Sequence, residues 1–120
     1  NNLEPFVQLM GNEKLEVLKQ VYKSAHFLIL ASKSEGWPKA IAEAMFFGCI
    51  PISTDVSCVS WMLDVGKRGI LIPSEVREAT NIIKSKIANI EELKSISLNA
   101  QEWSQTFTLE RFENEIKQFL

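Results

Sequence analysis

The chain reads as an α/β domain built on a doubly wound, Rossmann-like parallel sheet with flanking helices. Three observations carry that reading. Short apolar runs alternate with helix-length amphipathic segments along the chain. The runs at Phe27-Leu28-Ile29-Leu30, Cys49-Ile50-Pro51-Ile52-Ser53 and Gly69-Ile70-Leu71-Ile72 are apolar nearly throughout, as strands covered on both faces are. No Asn-Gly or Asp-Gly pair, the strongest hairpin signal, joins them.

Taken in order, Pro5–Met10 is expected to form a short strand, and Gly11-Asn12 a turn that leaves Asn12 available as a helix cap. Leu15, Leu18, Val21 and Tyr22 then recur at i, i+3, i+6 and i+7, with Glu13, Lys14, Lys19 and Lys23 opposite, which predicts an amphipathic helix to about Ser24. Ala25–Ala31 holds the first buried run. His26 at its edge is read as structural, because open α/β sheets hold ligands at the carboxyl ends of their strands.

A polar loop, Ser32-Lys33-Ser34-Glu35-Gly36, leads to Pro38, which suits the opening of a helix because its missing N–H has no partner to lose there. Gly48 closes that helix. Ile41, Ala44, Met45 and Gly48 form one row, Phe46 and Phe47 extend the apolar surface, and only Lys39 and Glu43 are charged. Cys49–Ser53 is the next strand, with Thr54-Asp55 beginning a loop at its carboxyl end. Trp61-Met62-Leu63 reads as one inward-packed helical turn, and Gly66-Lys67-Arg68-Gly69 as a tight turn with two solvated cations.

Gly69–Ile72 is a further strand, ended by Pro73. Ser74 is expected to cap a helix whose first turn carries Glu75 and Glu78 and whose buried stripe is Ala79, Ile82, Ile83, Ile87 and Ile90. A polar, helix-prone segment follows from Glu91 to Trp103. Thr108–Leu120 is expected to be a separate helix, buried through Leu109, Phe112, Ile116, Phe119 and Leu120.

Composition bounds the function. The 120 residues are 46% hydrophobic with a formal charge of −2, enough for one domain that buries roughly two thirds of its unfolded surface. There is no basic excess of the kind nucleic-acid binding needs. No apolar run approaches the roughly 20 residues of a membrane span. Cys49 and Cys58 are isolated and read as the reduced thiols of a cytoplasmic protein; with the lone His26 they give no metal-ligand spacing.

The chemistry concentrates at the helix that Pro38 opens. Glu35 and Glu43 flank its amino end at a spacing of Glu-x7-Glu. The first N–H groups of a helix lack internal partners and carry the positive end of its dipole, so they can hold a phosphate. A sugar or ribose hydroxyl on either side would find a carboxylate. The same spacing is equally served by a Lys39–Glu43 ion pair at i, i+4, worth about 0.2–0.5 kcal/mol.

The stretch Ser34-Glu35-Gly36-Trp37-Pro38-Lys39-Ala40-Ile41-Ala42-Glu43-Ala44-Met45, followed by Gly48-Cys49-Ile50-Pro51-Ile52-Ser53-Thr54, resembles the Glu-x7-Glu signature of retaining, nucleotide-sugar-dependent glycosyltransferases. The likeness is to the C-terminal, donor-binding domain of the GT-B fold, most like the group 1 (GT4) enzymes. It extends more loosely from Val7-Gln8-Leu9-Met10-Gly11 to Gly69-Ile70-Leu71-Ile72-Pro73. It departs at Asp55–Trp61, where many relatives carry a pair of glycines.

The resemblance implies that residues 1–120 are part of a C-terminal nucleotide-sugar-binding domain, without its first strands, and that a preceding acceptor domain completes the enzyme. It implies transfer of a sugar from a nucleoside diphosphate sugar to an acceptor hydroxyl with retention. Glu35 is then the catalytic-site residue, and Ser34, Glu35, Gly36, Trp37, Pro38, Lys39, Ala40, Glu43 and Thr54 bind substrate. No metal and no cofactor beyond the donor substrate is implied. The acceptor would be a saccharide or lipid-linked molecule, in surface polysaccharide synthesis, at a cytoplasmic location peripheral to the inner membrane. The 120 residues alone would be inactive. In the family, a last helix such as Thr108–Leu120 crosses to the partner domain, and left uncovered its aromatic face invites self-association.

A non-catalytic module that binds a nucleotide or protein partner remains the alternative. A receiver-like domain would need an acidic pair after the first strand, which ends here in Leu9-Met10-Gly11. A dinucleotide oxidoreductase would need a Gly-x-Gly-x-x-Gly after a strand, which is absent.

Overall fold

A computed structural model describes residues 4–31 and 38–106. The expected helix at Thr108–Leu120 and the loop residues Ser34, Glu35, Gly36 and Trp37 lie outside the described residues. The described chain is an α/β Rossmann-like fold. Helix α1 (Leu15–Ser24) leads to strand β1 (Phe27–Leu30), then α2 (Lys39–Phe46), β2 (Ile50–Thr54), a single helical turn α3 (Val59–Met62), β3 (Ile70–Ile72), α4 (Val76–Ile87) and α5 (Ile90–Thr106). The three strands are parallel in the order β1-β2-β3. Leu30 stands opposite Ser53, and Thr54 opposite Ile72.

Alternation along the strands builds a core on each face. Leu28 and Leu30 pack with Ile41, Met45, Val59, Met62, Leu63 and Ala100 on one side. Ile50, Ile52, Ile70 and Ile72 pack with Ala79 and Ile96 on the other. Every residue of β2 is buried, as the central strand of a covered sheet requires. Among the described residues β1 pairs only with β2, and Ile29 at this edge is 60% exposed.

Several local expectations are corrected. Pro5–Met10 is not a strand: Glu4–Phe6 form one turn of 3-10 helix, residues 7–10 are irregular, and Phe6, Val7 and Leu9 are exposed. An isolated apolar run has no ladder partner beside β1, and a strand is stable only when paired. Lys14, not Asn12, is the N-cap of α1, and no side chain caps it. The N-cap of α4 is Glu75 rather than Ser74. Its two carboxylate oxygens each accept one bond, Oε1 from the N–H of Arg77 at 2.9 Å and Oε2 from that of Glu78 at 2.7 Å. Ile90 does not extend the stripe of α4; it opens α5, 62% exposed, because Asn89 Oδ1 accepts from Glu92 N and starts a new helix.

The polar segment after Glu91 has a structural task. Ile96, Ala100 and Ser104 recur every fourth residue as the buried row of α5, and small residues there let α5 lie close against α2.

Candidate functional site

Pro38 is buried as the N-cap of α2, and its carbonyl accepts from the N–H of Ile41 at 3.1 Å and of Ala42 at 3.4 Å. It offers no side-chain oxygen to the N–H groups of Lys39 and Ala40, which open the helix. The first turn carries no acidic residue, and Lys39 adds a cation to the positive end of the dipole. That end is therefore electrostatically matched to an anion. Thr54 is buried at the carboxyl end of β2, beside the end of β1 through the Leu30–Ser53 pairing. The start of α2 follows β1 at this same end of the sheet, the end where open α/β sheets bind ligands.

Glu43 stands in the second turn of α2 with its side chain 26% exposed. It lines a groove of ≈ 570 Å³ whose other walls include Lys19 and Lys23 of α1, Phe46 and Phe47. Lys39 Nζ lies 3.9 Å from Glu43 Oε1, a long pair whose lysine is 80% exposed, so it contributes little stability. The Tyr22 ring stacks on Phe47, with centroids 6.4 Å apart. Burial first, then the nearby charge of Glu43, push the Tyr22 pKa above its ordinary value.

Helix α5 braces α2 from behind. Ser97 Oγ donates to the Gly48 carbonyl at 2.6 Å and Ser104 Oγ to that of Ala42 at 3.1 Å, while Gln105 Nε2 reaches the Phe46 carbonyl at 3.0 Å. Of these, the Phe46 carbonyl belongs to the last turn of α2, where no intrahelical donor reaches it. Sequence reasoning missed these bonds, because Ser and Gln on a polar helix carry no sign of which carbonyls they will meet. It also missed Tyr22, whose ring stacks on Phe47 at the end of α2.

Elsewhere, Ser57 adopts a left-handed backbone with φ 51° in the loop after β2, at the position where the resemblance expects glycines. Cys49 is buried and Cys58 half-buried; both are free, and burial raises both thiol pKa values, so neither is a ready thiolate. Arg68 is not a solvated turn residue: its Nη2 donates to the Trp61 carbonyl at 3.0 Å. His26 and Lys94 border a second cavity of ≈ 520 Å³ with Phe27, Phe47 and Leu93, at the amino end of the strands and away from Thr54. Among the described residues, no group of three or more His, Cys, Asp and Glu could hold a metal ion, and no helix is long and apolar enough to cross a membrane.

The family model of the glycosyl transferases group 1 matches residues 1–103. The chain belongs to that family. No curated protein matches it. Among solved structures, sucrose-phosphate synthase from Thermosynechococcus elongatus is 24% identical over 98% of this chain and 30% of its own, with a TM-score of 0.81. Anabaena Alr3699/HepE, solved with UDP and glucose, is 24% identical over 82% of this chain and 28% of its own, at 0.69. The pneumococcal O-GlcNAc transferase GtfA, solved with UDP and GlcNAc, is 22% identical over 98% of this chain and 25% of its own, at 0.71. The fold of this group 1 chain is thus that of GT-B glycosyltransferases, and the chain spans less than a third of the length of the structures it matches.

Proposed function

We propose that this chain forms the donor side of a retaining glycosyltransferase, binding a nucleoside diphosphate sugar and presenting its anomeric carbon to an acceptor hydroxyl held by another domain. The observation that carries the reading is the amino end of α2: a proline-capped helix start without acidic residues, at the carboxyl end of β1, with Glu43 in its second turn. UDP beside a sugar in two of the similar structures supports the same ligand class.

In this proposal the N–H groups at Lys39 and Ala40 stabilise the diphosphate as negative charge develops on the departing oxygen, a fixed dipole aimed where charge appears. Pro38 shapes that helix start, and Ser34, Gly36 and Trp37 contribute to donor binding. Glu43 accepts hydrogen bonds from the ribose hydroxyls, Glu35 holds hydroxyls of the donor sugar, and Thr54 borders the site from β2. The account needs no cofactor beyond the donor. The acceptor is a saccharide or a lipid-linked saccharide, in surface polysaccharide synthesis at the cytoplasmic side of a membrane. Residues 1–120 alone are inactive, since the acceptor side and the cationic ligands of the diphosphate come from elsewhere in the enzyme.

The test is a panel of uridine and guanosine diphosphate sugars offered to the protein that carries this chain, beside its Glu35→Gln variant. Consumption of one donor by wild type and its loss in the variant support the reading. Binding with no turnover of any donor would mark a non-catalytic nucleotide-binding module instead.

A further inference from the structure

Helices α2 and α5 lie antiparallel. Ser97 of α5 donates to the Gly48 carbonyl, Gln101 and Gln105 to that of Phe46, and Ser104 to that of Ala42, so the numbering rises along one helix as it falls along the other. Among these donors Ala100 is wholly buried, in the cluster that holds Ile41 and Met45 of α2.

Ser104 differs from the other three in where its bond lands. Ser97 and the two glutamines hold the carboxyl end of α2, at Phe46 and Gly48. Ser104, 3% exposed, donates to the carbonyl directly before Glu43 at 3.1 Å, and it borders the same ≈ 570 Å³ groove as Glu43. Within the helix the Ala42 carbonyl accepts from the N–H four residues on, so the hydroxyl takes its second lone pair and is not needed to satisfy it. What the bond adds is direction. Apolar contacts such as that of Ala100 are non-directional and let two helices turn against one another, whereas a hydrogen bond weakens steeply once it is bent. Helix α2 has only 8 residues. Pinned at its carboxyl end alone, it would be free to pivot at the turns that carry Lys39, Ala40 and Glu43.

We propose that Ser104 is a positioning residue, whose bond to the Ala42 carbonyl fixes the turn of α2 that carries Glu43 and so holds that carboxylate where it accepts from the ribose hydroxyls of a nucleoside diphosphate. It rests on the assignment of Glu43 to the ribose made above. A carboxylate on a helix turn held in place meets the ribose already oriented, and the ligand does not have to order it.

The test is a cycle over protein and ligand, read by calorimetric titration of the protein that carries this chain and by its thermal midpoints. Uridine and guanosine diphosphates and their 2′,3′-dideoxy counterparts are titrated into wild type, Ser104→Ala, Ser97→Ala, Glu43→Gln and the double variant of Ser104→Ala with Glu43→Gln. Ser104→Ala removes one oxygen and leaves the Ala42 carbonyl its intrahelical partner, so the fold persists. It is expected to weaken the bound ribonucleotide about five-fold, within the range of couplings between neighbouring residues. It leaves the dideoxynucleotide unchanged, and it adds nothing in the Glu43→Gln background. Ser97→Ala removes the same kind of bond between the same two helices, at Gly48, and is expected to lower the midpoint while keeping the preference for ribose. A reduced preference in both serine variants, an unchanged preference in Ser104→Ala, or an undiminished effect in the Glu43→Gln background overturns the role of Ser104 while leaving Glu43 on the ribose. If Glu43→Gln itself leaves the preference for ribose over dideoxyribose intact, the ribose assignment falls, and the role of Ser104 falls with it.

Discussion

The guanidinium of Arg68 lies over the ring of Trp103, with its carbon 4.3 Å from the ring centroid. The same arginine donates to the Trp61 carbonyl, and the Trp61 and Trp103 rings meet edge to face, 5.5 Å apart. One side chain thus ties the turn before β3 to α3 and to the brace helix α5. Arg68→Ala removes a partly desolvated cation–π contact and a charged hydrogen bond, and is expected to lower stability by about 1–3 kcal/mol. Arg68→Lys recovers only part of this, because an ammonium lacks the planar stacking face. Urea denaturation of the three proteins measures both; equal stability of Arg68→Ala and wild type would return the residue to solvent.

Val65 is 77% exposed and sits at φ 51°, ψ 41°. A β-branched residue is strained in the left-handed region, and an exposed one has little packing to lose. Val65→Gly is expected to stabilise the fold by about 1 kcal/mol, since relief of that strain outweighs the added freedom of the unfolded chain. Thermal unfolding that falls instead of rising refutes this.

Gly69, buried before β3, answers to space rather than to backbone conformation. A Cβ there would lie 2.8 and 2.9 Å from the two methyl carbons of Leu63 and 2.9 Å from the Pro51 carbonyl oxygen. The leucine can shift, but the strand carbonyl cannot do so without disturbing β2. Gly69→Ala is expected to destabilise by about 1–3 kcal/mol, as overpacked cores do, seen as a lower denaturation midpoint.

Glu75 makes the stability of α4 depend on pH. The N–H groups of Arg77 and then Glu78 hold its carboxyl below the ordinary value of 4.5. A folded pKa below the unfolded one stabilises above the unfolded value, and that contribution is lost as pH falls through the folded value. Glu75→Ala is therefore expected to unfold more easily than wild type at neutral pH. Thermal midpoints of the two should converge below about pH 4; a gap that persists unchanged into acid would contradict the capping role.

The parallel sheet was legible because Phe27–Leu30, Ile50–Thr54 and Ile70–Ile72 announce burial on both faces by their composition alone. The start of α2 was legible for a similarly local reason, the fixed geometry of Pro38. Pro5–Met10 misled because an apolar run satisfies the pattern of a strand whether or not a ladder partner lies beside it. Arg68 misled because two cations between glycines look like a turn in water, while the indole that receives one of them is 35 residues further along. Tyr22, Ser97 and Ser104 act on α2 through contacts between helices, which a local pattern does not encode. The other half of the Glu-x7-Glu signature, Glu35, lies outside the described residues, so its assignment rests on the motif.

Glu43 carries the central claim, because the same residue serves either as a ligand group or as one end of a helical ion pair with Lys39. The direct measurement is donor consumption by wild type and Glu43→Gln in the protein that carries this chain, made beside their thermal midpoints. The account predicts that turnover falls about ten- to a hundred-fold, as loss of a hydrogen bond to a charged acceptor does, while the midpoint hardly moves. A lowered midpoint with undiminished turnover would contradict it, and would leave Glu43 as the ion-pair partner of Lys39 alone.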